Sequence, residues 1–332
     1  MEKTYPANKL KIGMYVLMPL SWTDHPFLKN KFLLTSPDQI RKIISAGIKD
    51  VRVDLNRSRF VEDDPEPVRT LPQLDVKAPT ELPLKVATEK LRESIFDKKL
   101  PPLAKASQVH EYSGEMIKNL MDNPTAENIQ ATKRAVVDVV DLILDDVETS
   151  QHLMMITSHD YYTYTHSVQV GILAICLARN LFRRSNAHNL HELGAGFFLH
   201  DLGKVGISLD IINKPGKLSD EEMRVMKKHP FQGFAILKKT RQMTDESRII
   251  VLQHHERFDG SGYPQGLRGN EIHVYGRICA IADVYDALTT DRPYRGKLPP
   301  VEGLKIMKEQ MINHFQKNLF EQFVLMIAGQ KY

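Results

Sequence analysis

The doublet His200-Asp201 limits what this chain can fold into more than any other feature. It closes an apolar run, Phe198-Leu199-His200-Asp201-Leu202-Gly203-Lys204. Neighbouring residues on a helix point about 100° apart. Both side chains can therefore serve one place only at a helix end or between two ions, and Gly203 supplies such an end. Downstream come His229, the second doublet His254-His255 and Asp283, with Asp259-Gly260-Ser261-Gly262-Tyr263-Pro264 between the last two. Singly, each would more often be a hydrogen-bonded core or surface residue. Together, beside Gly-rich turns, they are hard to explain as packing. Imidazole plus carboxylate without thiolate suits iron, manganese or zinc in a site with positions left open for water and substrate. The constellation reads as a hydrolytic metal centre. With His166 added, two metals would use His166, His200, Asp201, His229, His254, His255 and Asp283. Asp201, having two oxygens, is the natural bridge, and His254 and His255 would each serve a different ion.

At 332 residues and 42% apolar content the chain can build two domains with real cores. A formal charge of +4 does not indicate a nucleic-acid polymer as partner. Met1-Glu2-Lys3-Thr4-Tyr5-Pro6 lacks the apolar core of a signal peptide. The longest apolar stretch, around Gly171-Ile172-Leu173-Ala174-Ile175-Cys176-Leu177-Ala178, is too short to cross a bilayer. The expectation is a cytoplasmic protein with no membrane association, its Cys176 and Cys279 reduced in apolar helical settings.

Residues 1–60 read as a small α+β accessory or regulatory module. Segments 10–17 and 31–34 have strand character, and Val51-Arg52-Val53-Asp54 alternates like a half-buried strand. Between them Ser36-Pro37-Asp38 opens a helix with Ile40, Ile43, Ile44 and Ile48 on one face, ended by Gly47. Residues 61–84, with Pro65, Pro67, Pro72, Pro79 and Pro83, read as an extended linker. Residues 85–149 read as a helical connector. Its clearest helix begins at Asn123-Pro124 and continues through Ile129, Thr132, Val136, Val140, Ile143 and Val147. That seam suits packing on the neighbouring domain or a homodimer coil equally well. From 150 to 325 the segments read as an all-helical catalytic domain. In it Ser219-x-x-Glu222 caps a helix running to His229-Pro230, and 275–290 forms another helix that carries Asp283.

Cations cluster near the expected centre. Lys204 suits a non-bridging phosphate oxygen, offsetting charge in a transition state. Of Arg292, Arg295 and Lys297, the two arginines are the better forks for phosphate. Gly260, Gly262 and Pro264 shape a tight loop in which Tyr263 could meet a base or sugar.

In these residues the chain resembles the HD-GYP family, a branch of the HD metal-dependent phosphohydrolases. The likeness runs through His166, Leu199-His200-Asp201-Leu202-Gly203-Lys204-Val205-Gly206-Ile207, Asn213-Lys214-Pro215-Gly216-Lys217-Leu218 and Lys228-His229-Pro230. It continues through His254-His255-Glu256-Arg257-Phe258-Asp259-Gly260-Ser261-Gly262-Tyr263-Pro264, Ala282-Asp283-Val284-Tyr285-Asp286-Ala287-Leu288-Thr289 and Asp291-Arg292-Pro293-Tyr294-Arg295. Gly13-Met14-Tyr15-Val16 and Asp24-His25-Pro26-Phe27 resemble a domain of unknown function that often precedes it. The resemblance implies a mainly α fold: an all-helical HD-type catalytic domain behind a small α+β domain and a helical linker. It implies hydrolysis of cyclic di-GMP to pGpG, and in some members on to GMP, with cyclic GMP-AMP as the alternative substrate. A signal-binding or docking module that meets diguanylate cyclases through the Gly262-Tyr263-Pro264 loop is the non-enzymatic alternative.

The resemblance places metal ligands at the same seven residues, phosphate on Lys204, and Gly262, Tyr263, Arg292 and Arg295 along the substrate. The expected nucleophile is a hydroxide bridging two divalent ions, iron or manganese first, with zinc, magnesium or nickel as alternatives. Two departures stand out. Tyr162 occupies the place of a glutamate that supports a third metal in some members, so two metals are expected. Asn313-His314-Phe315-Gln316 lacks the usual aspartate after phenylalanine.

Overall fold

Ser36 opens the first helix of the chain, its hydroxyl accepting from the Gln39 N–H while the Gln39 side chain returns to the Ser36 N–H. The computed structural model that shows this describes residues 2–19, 27, 29–58, 74–76, 82–158, 163–291 and 296–329. The chain divides into two compact units, 1–71 and 72–332.

In the first unit four antiparallel strands lie in the order β1 (Glu2–Pro6), β4 (Asp50–Asp54), β2 (Tyr15–Leu17), β3 (Lys31–Leu33), with α1 (Pro37–Ser45) between β3 and β4 in sequence. Val51 and Val53 are fully buried while Arg52 is exposed, as alternation requires. They join Val16, Phe27, Leu34 and Ile43 in one core. The strand expected over 10–17 is shorter. Gly13 takes a left-handed φ of 88° and its N–H bonds to the Leu34 carbonyl, so pairing starts only at Tyr15. β1 escapes sequence patterning because its residues are exposed or half-buried on an outer strand, with no alternating apolar face. Asp24, His25 and Pro26 lie outside the described residues.

The second unit holds β5 (Leu74–Val76), α2 (Leu84–Phe96), α3 (Pro102–Asp122), α4 (Ala126–Asp145), α5 (Val147–Met155) and β6 (Ile156–Ser158). It continues with α6 (Thr163–Phe182), α7 (Leu190–Phe198), α8 (Leu209–Ile212), α9 (Asp220–Met226) and α10 (His229–Lys239). Last come α11 (Asp245–Gln253), α12 (Val274–Thr289), α13 (Pro300–Gln310) and α14 (Lys317–Ile327). A parallel pairing of β5 with β6 is the small exception to an otherwise helical unit, and it falls in the segment expected to be an extended linker. Of that segment's prolines only Pro83 is described; it precedes α2.

α6 is buried from Thr165 to Ala178 on every face, which accounts for the long apolar run: it is the central helix, covered by α3, α7 and α12. Among the described residues no helix is long and apolar enough to cross a membrane. Cys176 on α6 and Cys279 on α12 are free, buried thiols.

Thr125, not Asn123, caps α4, accepting from the Asn128 N–H. Its seam residues Ile129, Thr132, Val136, Val140 and Ile143 are buried inside the chain, where α4 packs on α2 and α7. Val147 lies beyond a break: Asp146 caps α5 and leaves Val147 53% exposed. The helix capped by Ser219 also stops early, at Met226, and a new one starts at His229 with Pro230 in its first turn. α14 forms without a side-chain cap, and Gln316 instead accepts a hydrogen bond from the Arg277 guanidinium.

Candidate metal centre

Helix ends deliver the expected ligands. α7 stops at Phe198, and His200 and Asp201 occupy the turn before a short 3-10 segment, Leu202–Gly206. That segment lies against the start of α10. A Cβ on Gly203 would fall within bonding range of the His229 carbonyl and against the Gly233 amide, so only glycine permits the approach that sets His229 beside Asp201. His254 follows the last turn of α11. His166 projects from α6 and Asp283 from α12, two helices packed on each other.

Backbone carbonyls fix the rings. The Nδ1 atoms of His200, His229 and His254 lie 2.8 Å from the Phe197 carbonyl, 2.8 Å from that of Met226 and 3.0 Å from that of Val251. Each Nδ1 must carry the hydrogen to bond there, so each Nε2 presents a lone pair inward. His166 gives its Nδ1 hydrogen to Asp286 Oδ2 at 2.6 Å, and its Nε2 lies 3.0 Å from Asp283 Oδ1.

All seven residues come together, in two groups whose ligand atoms lie within 4.8 Å of one another: Asp201, His229, His254 and His255 in one, His166, His200 and Asp283 in the other. His254 and His255 thus share a group rather than dividing between the two, although His255 Nδ1 is also 3.4 Å from Asp283 Oδ2. Asp201 faces both groups. Its Oδ1 is 3.3 Å from His229 Nε2 and 3.7 Å from His254 Nε2; its Oδ2 is 3.5 Å from His200 Nε2 and 3.7 Å from His166 Nε2.

This donor set fits divalent cations. The Nε2 atoms of His229 and His254 face each other at 3.0 Å with both Nδ1 hydrogens already committed, a pairing of lone pairs that a shared cation resolves. Among the described residues His200 Nε2 and Asp201 Oδ1 are buried with no hydrogen-bond partner.

Protonation agrees. Burial holds the His229 imidazole down to about 3, and also lowers His200 and, strongly, His255. Burial alone would raise Asp201 and Asp283. The Lys204 ammonium and His200 overcome it at Asp201, and the adjoining His166 and His255 rings overcome it at Asp283, so both carboxyls sit well below the usual range. Neutral imidazoles and ionised carboxylates are the forms that bind metal.

Lys204 Nζ lies 2.5 Å from Asp201 Oδ2, beside the carboxylate that faces both groups. Gly262 and Tyr263 return to the centre. A Cβ on Gly262 would collide with the backbone of His255, Glu256 and Arg257, and the Tyr263 N–H bonds to the His255 carbonyl at 3.1 Å. The Tyr263 ring rests 4.7 Å from the His255 ring, and burial raises its hydroxyl pKa. Glu256, 2% exposed, ties the loop down by accepting from the N–H groups of Gln265 at 2.7 Å and Leu267 at 3.0 Å. Arg292 and Arg295 lie outside the described residues. Lys297 is described, and its N–H bonds to Asp291 Oδ1 at 2.8 Å. Asp286 and Glu256 were not among the expected site residues. Both stand in segments that carry the family resemblance, and Asp286 also lies three residues after Asp283 on the same helix.

Comparison with known proteins agrees with this geometry. Residues 151–319 match the HD domain, and residues 2–135 match a domain of unknown function, DUF3391. A cyclic di-GMP phosphodiesterase of Pseudomonas aeruginosa is 33% identical over 98% of this chain and 76% of its own length. A 3'3'-cGAMP-specific phosphodiesterase of Vibrio cholerae is 39% identical over 45% of this chain, which spans only 32% of that relative. The solved structure of an HDG"Y"P protein, Bd1817 of Bdellovibrio bacteriovorus, covers 99% of this chain and 100% of its own with a TM-score of 0.63; at 16% identity it speaks for the fold alone.

Proposed function

Because the chain belongs to the HD-GYP family, an HD-type metal-dependent hydrolase behind a DUF3391 module, we propose that it cleaves cyclic di-GMP to linear pGpG. Phosphodiesterase activity on cyclic dinucleotides is the family's chemistry, and the choice of cyclic di-GMP rests on the P. aeruginosa relative, similar along nearly the whole chain. One observation carries the site assignment: Asp201 turns one oxygen to each of two ligand groups, with buried acceptors left over on both sides.

In this reading His229, His254 and His255 would hold one divalent cation, His166, His200 and Asp283 would hold the other, and Asp201, facing both, would serve each. Iron or manganese suits the thiolate-free donors. Bound cations would act as Lewis acids and lower the pKa of water toward neutrality. The chain's own residues do the rest. Main-chain carbonyls and Asp286 fix which nitrogen of each imidazole is free. The Lys204 ammonium stands beside Asp201, where it offsets negative charge gathering on a phosphate oxygen. Gly262 and Tyr263 wall the substrate side, and Arg292 and Arg295 are assigned to phosphate on their chemistry. Residues 150–325 form the catalytic region, with 85–149 as its helical brace.

3'3'-cGAMP is the second reading, favoured by the V. cholerae relative. Anaerobic purification, metal counting and product identification with the two cyclic dinucleotides side by side test both. Two metals per chain and pGpG from cyclic di-GMP are expected. A metal-loaded protein that cleaves neither compound ends the proposal.

A further inference from the structure

The cations around the centre differ in what they are bound to. Lys204 is paired with Asp201, and Lys214 gives its ammonium to both oxygens of Glu222, at 2.6 and 2.8 Å. Lys227 is different. It follows the last turn of α9, two residues before His229, and is exposed. Among the described residues its side chain meets the Tyr263 ring, with Nζ 5.3 Å from the ring centre. That ring is 4.7 Å from His255 and 6.4 Å from His229. A positive charge is therefore held beside the metal groups by an aromatic face, a contact that leaves the three ammonium hydrogens free to donate.

A cyclic dinucleotide with one phosphodiester at the centre still presents a second phosphate and guanine edges. The phosphate oxygens, O6 and N7 are all acceptors. We propose that Lys227 binds substrate, donating to acceptor atoms of the cyclic dinucleotide that lie outside the metal groups, with Tyr263 holding the ammonium in place. The inference rests on the reading of the chain as a cyclic dinucleotide hydrolase and adds to it a residue on which the resemblance placed no role.

The test compares wild type, Lys227→Met and Lys227→Arg on cyclic di-GMP, with cyclic di-AMP as competitor. Loss of one charge-assisted contact in Lys227→Met should raise KM roughly tenfold with kcat little changed. Lys227→Arg should restore most of the KM, and metal content should be equal in all three. Equal weakening of cyclic di-AMP as inhibitor assigns the second phosphate or N7, which both compounds carry; weakening confined to cyclic di-GMP assigns guanine O6. A wild-type KM in Lys227→Met, a fall in kcat alone, or no recovery in Lys227→Arg overturns the proposal and leaves the hydrolase reading standing. A wild type that turns over no cyclic dinucleotide removes both.

Discussion

Asp286 accepts the Nδ1 hydrogen of His166 at 2.6 Å, from a residue 120 positions away in the chain. Asp283, one turn earlier on the same helix, stands 3.0 Å from the other nitrogen of that ring. α12 therefore orients His166 from one edge and shares its ligand group from the other. Thr290 in turn donates to the second Asp286 oxygen at 2.9 Å, fixing the carboxylate. Asp286→Asn, which exchanges a charged acceptor for an amide, should weaken metal binding by about 10- to 100-fold. Metal titration of the stripped variant measures it, and wild-type affinity would refute the orienting role.

His200→Ala combined with Asp201→Ala removes two buried acceptors of the centre that have no hydrogen-bond partner among the described residues. Turnover of cyclic di-GMP should fall to background while the helical circular dichroism spectrum stays close to wild type. Residual activity near the wild-type rate would place the chemistry elsewhere.

Acidification should destabilise the metal-free protein. The folded-state pKa of His229 lies near 3 against an ordinary 6.5, and burial shifts His200 and His255 the same way. Below pH 6.5 the unfolded chain takes up protons that the folded one refuses, so stability falls with pH down toward the folded values. Asp201 and Asp283, held below 3.8, keep their stabilising charge through this window and lose it only at lower pH. Calorimetry of chelated protein between pH 7 and 4 should show a falling Tm; a flat profile would contradict the burial of neutral imidazoles.

Gly203→Ala forces a methyl into the His229 carbonyl, a backbone atom that cannot step aside. Overpacking of this kind costs about 1–3 kcal/mol. Denaturant unfolding of the purified variant would register the loss, together with reduced metal content because His229 shifts from Asp201. An unchanged midpoint would mean that the two segments separate freely.

Glu256→Gln turns an amide donor toward main-chain N–H groups that now have a carboxylate acceptor. Losing one buried acceptor costs about 1–3 kcal/mol. The loop that seats Tyr263 should loosen, raising KM for cyclic di-GMP while the metals stay bound. Protection of the Gln265 and Leu267 amides against hydrogen exchange should fall; retained protection would count against the anchoring role.

The seven residues of the two groups were readable in the sequence only as a set, because so many imidazole and carboxylate side chains beside Gly-rich turns are hard to explain as packing. What orients them was not. The tie between His166 and Asp286 is created only when α6 packs on α12, and Glu256 finds its partners across a turn whose shape the sequence does not state. Local chemistry also decided the smaller errors. Thr125 outcompeted Asn123 as cap, Asp146 ended α4 before Val147, and a turn at Lys227-Lys228 separated α9 from α10. β1 carries no apolar alternation and β5 is only three residues long, so their pairing had too little signature to read.

A carboxylate that turns one oxygen to each ligand group would keep two bound ions from loading independently. The first cation to arrive would immobilise Asp201 for the second while drawing on the same single negative charge. Occupancy at one position would therefore change the affinity of its neighbour, and a half-filled protein would be a distinct species rather than an average of empty and full. Metal titrations of this chain call for a coupled two-step isotherm.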